Sequence, residues 1–168
     1  MTTRSTATHA ARLANRLQLD RFVPYRLAVL SSIVSVSIAN AYEQEFGLTI
    51  PEWRVLAVLA RYPKLSAIEV SERAAMDKVA VSRAVQSLIA AKRVVRSYAK
   101  GDRRRSVLKL SPNGKSVYTR VAPLALRYER KLLTSLSEHE RRTLDRLIGR
   151  LTDRARELDD DHAARGDA

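Results

Sequence analysis

Apolar residues return every three or four positions along several stretches of this chain, the spacing that gathers them on one face of an α-helix. The first stretch carries Leu27, Leu30, Val34, Ile38, Ala41 and Tyr42, while Val29, Ile33 and Val36 add a second apolar side. This predicts a helix over residues 24–46, opened by Pro24, where a missing N–H costs nothing, and ended by Gly47. A helix apolar on two sides suits packing on its own domain and on a partner chain. Trp53, Leu56, Ala57, Leu59 and Ala60 mark a second helix, and Val81, Val85, Leu88 and Ile89 a third. Leu144, Leu147, Ile148, Leu151, Ala155 and Leu158 mark the last. Three capping boxes punctuate the pattern: Thr49 with Glu52, Ser66 with Glu69, and Ser137 with Glu140. Each sets a hydroxyl three residues before a carboxylate, so that two orphan amide donors are satisfied reciprocally. The second box opens a short helix over residues 67–75, and Asp77 is a good N-cap for the helix after it.

The helical period gives way to partial alternation over residues 94–98 and 106–110, which predicts two short strands joined by a loop over 99–105. Ser111-Pro112 then starts a helix running to about residue 136, where Pro123 is expected to produce a kink. Residues 1–20 read as a flexible arm and 161–168 as a frayed tail. The expected fold is mainly α with a small β-hairpin: a helix, turn, helix and hairpin lobe over residues 49–111, flanked by long helices in 21–48 and 112–160.

Charge gives this layout a meaning. The chain carries a net +13, and residues 78–109 hold ten basic side chains against one acid, Asp102, or +9 in that segment. Positive charge focused in this way marks a polyanion-binding surface. On the helix that begins at Lys78, the face opposite Val81, Val85 and Leu88 presents Lys78, Val79, Ser82, Arg83 and Gln86. Those residue types suit a major groove: Gln can bond bidentately to adenine, Arg to guanine or phosphate, and Val can touch a thymine methyl. Gly101-Asp102-Arg103-Arg104-Arg105 would project like charges from a tight turn, which fits a narrow, negative minor groove.

Other chemistries find less support. There is no cysteine, so disulfide frameworks, thiol catalysis and thiol redox switching are excluded. His9, His139 and His162 are scattered without clustered acids, so no metal site is expected, and the single glycines form no phosphate-cradling loop. No catalytic constellation and no cofactor motif stands out, so an enzyme is not expected. The N-terminus lacks the apolar core of a signal peptide. The most apolar stretch, residues 27–41, is interrupted by Ser31, Ser32, Ser35, Ser37 and Asn40 and is too short to span a bilayer. The expectation is a cytoplasmic protein without a membrane partner.

Several of these residues together resemble the MarR-type winged-helix transcription regulators. They are Leu65-Ser66 with Glu69, the run from Met76 to Arg83, then Leu88 and Arg96. The wing residues Asp102-Arg103-Arg104-Arg105 and the entry Leu110-Ser111-Pro112-Asn113-Gly114 complete the set. The resemblance spans about residues 22–158. It implies a homodimer with interlocked N- and C-terminal helices, each subunit offering one winged lobe to a pseudo-palindromic double-stranded operator. Ser82 and Arg83 fall on the family's recognition-helix pair, and Asp102 and Arg104 on its wing Asp-x-Arg, with Ser66 and Arg96 toward the DNA backbone. The family usually has glycine after the recognition helix, where this chain has Lys92-Arg93-Val94; an Arg in a left-handed cap costs roughly 1 kcal/mol relative to Gly. Such regulators respond to a small ligand. The stretches around Tyr25-Arg26 and Trp53 look like those of regulators of aromatic-acid catabolism, which implies an aromatic acid or its coenzyme A thioester, with Tyr25, Arg26 and Trp53 as ligand-binding residues. The expected role is a repressor released by that ligand. The alternative is an architectural nucleic-acid binder that uses the same basic segment without sequence preference.

Overall fold

A computed structural model describes residues 17–99 and 102–166. The backbone of residues 99 and 102–105 and of 162–166 is described without their side chains. Among these residues there are seven helices and one antiparallel hairpin. They run α1 (Val23–Ala39), α2 (Glu43–Phe46), α3 (Ile50–Arg61), α4 (Ala67–Ala74), α5 (Lys78–Ala90), β1 (Val94–Ala99), β2 (Asp102–Leu110), α6 (Pro112–Leu133) and α7 (Glu138–Gly166). The chain divides into two compact units, residues 1–122 and 123–168. The arm expected over 1–20 lies outside the described residues as far as residue 16.

In the first unit, capping chemistry sets the helix starts. Thr49 and Ser66 each accept from the amide three residues on, and Glu52 and Glu69 reach back to the Thr49 and Ser66 amides at 2.7 Å. Asp77 accepts from the Ala80 amide at 2.8 Å and starts α5. The buried residues follow the helical spacing: Val55, Leu56 and Leu59 from α3, Val70 from α4, and Val81, Val85 and Leu88 from α5. The hairpin closes this core with Val94, Leu108 and Leu110, and α6 adds Val117 and Val121. Strand pairing aligns Val94 with Leu110 and Arg96 with Leu108. Leu65 adds an isolated antiparallel bridge, its carbonyl accepting from the Leu108 amide. The turn between α4 and α5 is tight because Ala75 takes a left-handed φ of 49° and the Ser71 hydroxyl donates to the Met76 carbonyl at 2.6 Å.

The structure corrects the expected elements in five places. The first helix stops at Ala39 rather than running to residue 46. The Ala41 and Tyr42 amides bond back only three residues, to Ile38 and Ala39, and this tightened turn drives Tyr42 into the core before α2 resumes. Gly47 does end α2, at φ 57°. Strand β2 starts at Asp102, not 106, because the ladder continues to an Ala99–Asp102 pair after a register shift at Tyr98/Ala99. The wing arginines therefore belong to a strand by their backbone. At the end of α5 the left-handed residue is Lys92, at φ 55°, and not Arg93. The Lys92 amide donates to Ile89 and the Arg93 amide to Leu88, which is a Schellman ending.

The other two corrections lie in the second unit. Helix α6 ends at Leu133 rather than residue 136, where Thr134 and Leu136 form i→i−3 bonds and the Arg141 guanidinium donates to the Leu133 and Leu136 carbonyls. Helix α7 starts from the Ser137–Glu140 capping box as expected. It runs on to Gly166, past the end expected at residue 160.

Candidate nucleic-acid interface

Helix α5 has two unlike faces. Val81, Ala84, Val85 and Leu88 are buried, whereas Lys78, Val79, Ser82, Arg83 and Gln86 are all exposed. Val79 is 59 % exposed, high for an aliphatic side chain at the first turn of a helix. The five residues singled out on this helix therefore share one solvent-facing surface. Ser66 sits at the start of α4 with its hydroxyl occupied by its capping role, and Arg96 lies exposed on β1. Asp102, Arg103, Arg104 and Arg105 enter β2 by their backbone; their side chains, like Lys100 and Gly101, lie outside the described residues.

The end of this helix is held against the start of α6. The Arg93 carbonyl accepts from the Ser111 amide at 3.0 Å, and the Ser111 hydroxyl donates to the Lys92 carbonyl at 2.7 Å. The same hydroxyl accepts from the Gly114 amide at 2.9 Å. Gly114 lies so close that a Cβ built on it would fall 1.9 Å from the Arg93 carbonyl oxygen. Ser111 and Gly114 are read in the sequence as a helix entry; the contact that needs them is with residues some twenty positions earlier.

A second link joins α5 to α3. Glu52 is buried, and besides closing its capping box it accepts from the Ser87 hydroxyl on α5. Burial works against the Glu52 charge, but the hydrogen bonds from Ser87 and Thr49, aided by Arg93 nearby, outweigh it and hold the carboxyl below its ordinary range. The capping spacing locates Glu52, but Ser87 is 35 residues away and no local signal pairs them.

Of the ligand residues named from the sequence, Trp53 is half-buried, and Tyr25 and Arg26 are exposed on α1. Among the described residues no ring contact or hydrogen bond joins Tyr25 or Arg26 to Trp53. Its neighbours are others: Trp53 stacks on Tyr118 at 5.8 Å and 17°, and Tyr42 tilts against it at 5.8 Å. The Tyr42 ring is fully buried and its hydroxyl has no hydrogen-bond partner among the described residues. Burial, reinforced by Glu43 and only partly offset by Arg54, pushes this phenol up to about 12.

Both groups contribute to the pH dependence of stability. Glu52 has a lowered folded pKa, so its contribution is present above about pH 4.5 and is lost as pH falls through the folded value. Tyr42 has a raised one, so its contribution is intact below about pH 10 and is lost between 10 and about 12. Tyr42→Phe should flatten the alkaline limb, by roughly 1.4 kcal/mol per pH unit across that window. At pH 7 it should leave stability unchanged or raise it, since a buried unpaired hydroxyl is removed. Urea unfolding of both proteins at pH 7 and 11 checks this; parallel losses in the two would contradict it.

No helix among the described residues is long and apolar enough to cross a membrane, and no group of three or more His, Asp or Glu side chains among them could hold a metal ion.

Comparison with known proteins places this geometry. Residues 46–105 match the MarR family. No curated protein sequence matches the chain. Among solved structures, the MarR/EmrR family transcriptional regulator from Acinetobacter sp. ADP1 aligns with a TM-score of 0.77 and 27% identity, covering 84% of this chain and 99% of that one. BpsR of Bordetella bronchiseptica, whose DNA binding is regulated by 6-hydroxynicotinic acid, aligns at 0.72 and 21% over 83% and 99%. The PcaV transcriptional regulator from Streptomyces coelicolor, solved with its natural ligand, aligns at 0.69 and 24% over 83% and 98%. The segment from Phe46 to Arg105 is thus similar to the MarR family, and the chain has the winged-helix fold of that family's solved transcription regulators.

Proposed function

We propose that this protein is a cytoplasmic, homodimeric, sequence-specific regulator of transcription, a repressor that a small ligand releases from a pseudo-palindromic operator. The observation that carries the reading is the exposed face of α5. It combines Val79, Ser82 and Gln86 with Lys78 and Arg83, a mixture suited to base edges, whereas charge alone would serve a binder indifferent to sequence. The hairpin beside it carries Arg103, Arg104 and Arg105 toward an adjacent minor groove, and Ser66 and Arg96 serve the phosphate backbone. The effector is an aromatic acid or its coenzyme A thioester, seated by Trp53 with Tyr25 and Arg26. BpsR, which answers to an aromatic acid, lends that class its support.

A gel shift on the DNA beside the protein's own gene, titrated against unrelated duplex, tests the proposal. Arg104→Ala should weaken binding and reduce A·T preference next to each half-site, while Gln86→Ala should flatten base preference in the major groove. Log affinity should fall with log salt with a slope of about −0.9 for each phosphate contact. Equal loss of binding to any competitor would establish the architectural reading instead. Wild-type binding by Arg104→Ala would remove the wing from the interface.

A further inference from the structure

One carboxylate in the first unit holds two elements at once. Glu52 is buried, and its two oxygens have separate tasks. Oε2 closes the start of α3, accepting from the Thr49 amide at 2.7 Å and from the Thr49 hydroxyl at 2.9 Å. Oε1 crosses to α5 and accepts from the Ser87 hydroxyl. One oxygen suffices for the cap, so the helix start does not explain the second bond. Among the described residues it is the one hydrogen bond that joins α3 to α5. The rest of that packing is apolar, from Val55, Leu56 and Leu59 on one helix and Val81, Val85 and Leu88 on the other. Apolar contact is non-directional and tolerates a small roll or tilt, whereas a hydrogen bond has a preferred length and angle. A second polar link comes from the same stretch of chain: the Arg93 guanidinium, just past the end of α5, donates to the Phe46 carbonyl. Residues 46–52 therefore grip the C-terminal part of α5 at two points.

We propose that Glu52 and Ser87 are a positioning pair that sets the angle of α5, so that Val79, Ser82 and Gln86 meet base edges in register. The inference rests on the reading of α5 as the element that reads DNA sequence. Ser87 follows Gln86 directly and lies nine residues after Lys78. That separation is about 13 Å along a helix, so a tilt of about 5° at Ser87 carries the start of α5 by about 1 Å. A hydrogen bond to a base edge does not survive an error of that size. Burial opposes the Glu52 charge, but its hydrogen bonds outweigh it, so the acceptor is ionised and the bond from Ser87 is charge-assisted. Ser87 itself is exposed and fills no space in the core. Water can take the place of its hydroxyl at the carboxylate, but water cannot hold the helix at one angle.

The test compares two duplexes at matched salt, the DNA beside the protein's own gene and an unrelated sequence, with thermal unfolding of the same full-length preparations. Ser87→Ala should weaken binding to the first duplex about ten-fold, the cost of one charge-assisted bond. Binding to the unrelated duplex should stay within about two-fold, because it depends on charge rather than register. The Tm should move by no more than about 3 °C. Ser87→Thr keeps the hydroxyl and should restore the preference, which a residue needed only for stability would not do. Glu52→Asp keeps the charge at the start of α3 but shortens its reach, so it should cost the same preference. Adding Ser87→Ala to Glu52→Asp should then cost nothing more. A wild type that binds both duplexes alike would overturn the regulator reading and this pair with it. Where the wild type does discriminate, three results would overturn the pair alone: a Ser87→Ala protein that discriminates equally well, equal loss on both duplexes, or additive costs in the double variant. The last would put the Ser87 hydroxyl on the DNA itself.

Discussion

Gly114→Ala should destabilise the winged-helix unit by roughly 3 kcal/mol and lower Tm by about 6–12 °C, with operator binding lost in parallel. The added methyl would lie 1.9 Å from the Arg93 carbonyl oxygen, far inside any tolerated contact. The neighbour is backbone and has no rotamer with which to yield. Its residue is also committed on both sides, since that carbonyl accepts from the Ser111 amide and the Arg93 amide closes the Schellman turn that ends α5. Relief requires either opening the Ser111 contact or unwinding the last turn of the helix that carries Lys78, Ser82 and Gln86. Thermal unfolding followed by circular dichroism, with a gel shift on the same preparation, reads both effects. A variant that melts with the wild type would mean the two backbones are not held together as described. The Gly47→Ala control meets nothing within 4 Å and should show only the smaller penalty of a left-handed alanine, about 1 kcal/mol.

The second large effect should come from residues that contribute nothing to the core of a single chain. On α1, Leu27, Leu30, Ile33 and Val36 are about half exposed, although the helix consists almost wholly of apolar and small residues. On α7, Leu144, Leu147, Ile148, Leu151 and Leu158 are likewise exposed. Completing the burial of each would contribute about 1 kcal/mol, and a row of exposed apolar side chains along one helix marks an interface. The homodimer proposed above would cover both helices. Leu30→Glu combined with Ile33→Glu should therefore give a folded monomer at micromolar concentration by sedimentation. Operator affinity should fall on the order of 100-fold or more, because two half-sites can no longer be engaged by one linked pair of lobes. A variant that sediments as the wild type does would remove α1 from the interface.

How much of this was legible beforehand depended on the range of the interaction. The capping boxes at Thr49, Ser66 and Ser137 and the N-cap at Asp77 are contacts over three residues, and they can be read from spacing alone. So can the division of α5 into a buried face and an exposed one, because helical periodicity dictates it. The break after Ala39 was not legible. The run from Leu27 to Tyr42 keeps helical spacing throughout, and only the burial of Tyr42 against Trp53 explains why the chain tightens there. The extension of β2 to Asp102 was hidden for a related reason: three consecutive arginines look like a loop, and they fall within the strand only because the Ala99–Asp102 pair resumes the ladder beyond them. In the candidate site, the links Glu52–Ser87 and Gly114–Arg93 span long separations and carry no local signature. Tyr118, which stacks on Trp53, is likewise invisible until α6 is folded against α3.

Helix α7 has one consequence for the life of the protein in the cell. It is a long helix with no buried side chain among those described, and its ion pairs are surface pairs within the helix. Such pairs add only a few tenths of a kcal/mol each, so the helix depends on being covered to persist. If the chain pairs as proposed, a subunit without a mate should open there readily, exchange its amides quickly and offer a protease an unprotected stretch, whereas a paired one should not. Turnover would then fall on unassembled subunits first, and the supply of this protein would be trimmed to the fraction that has found its partner.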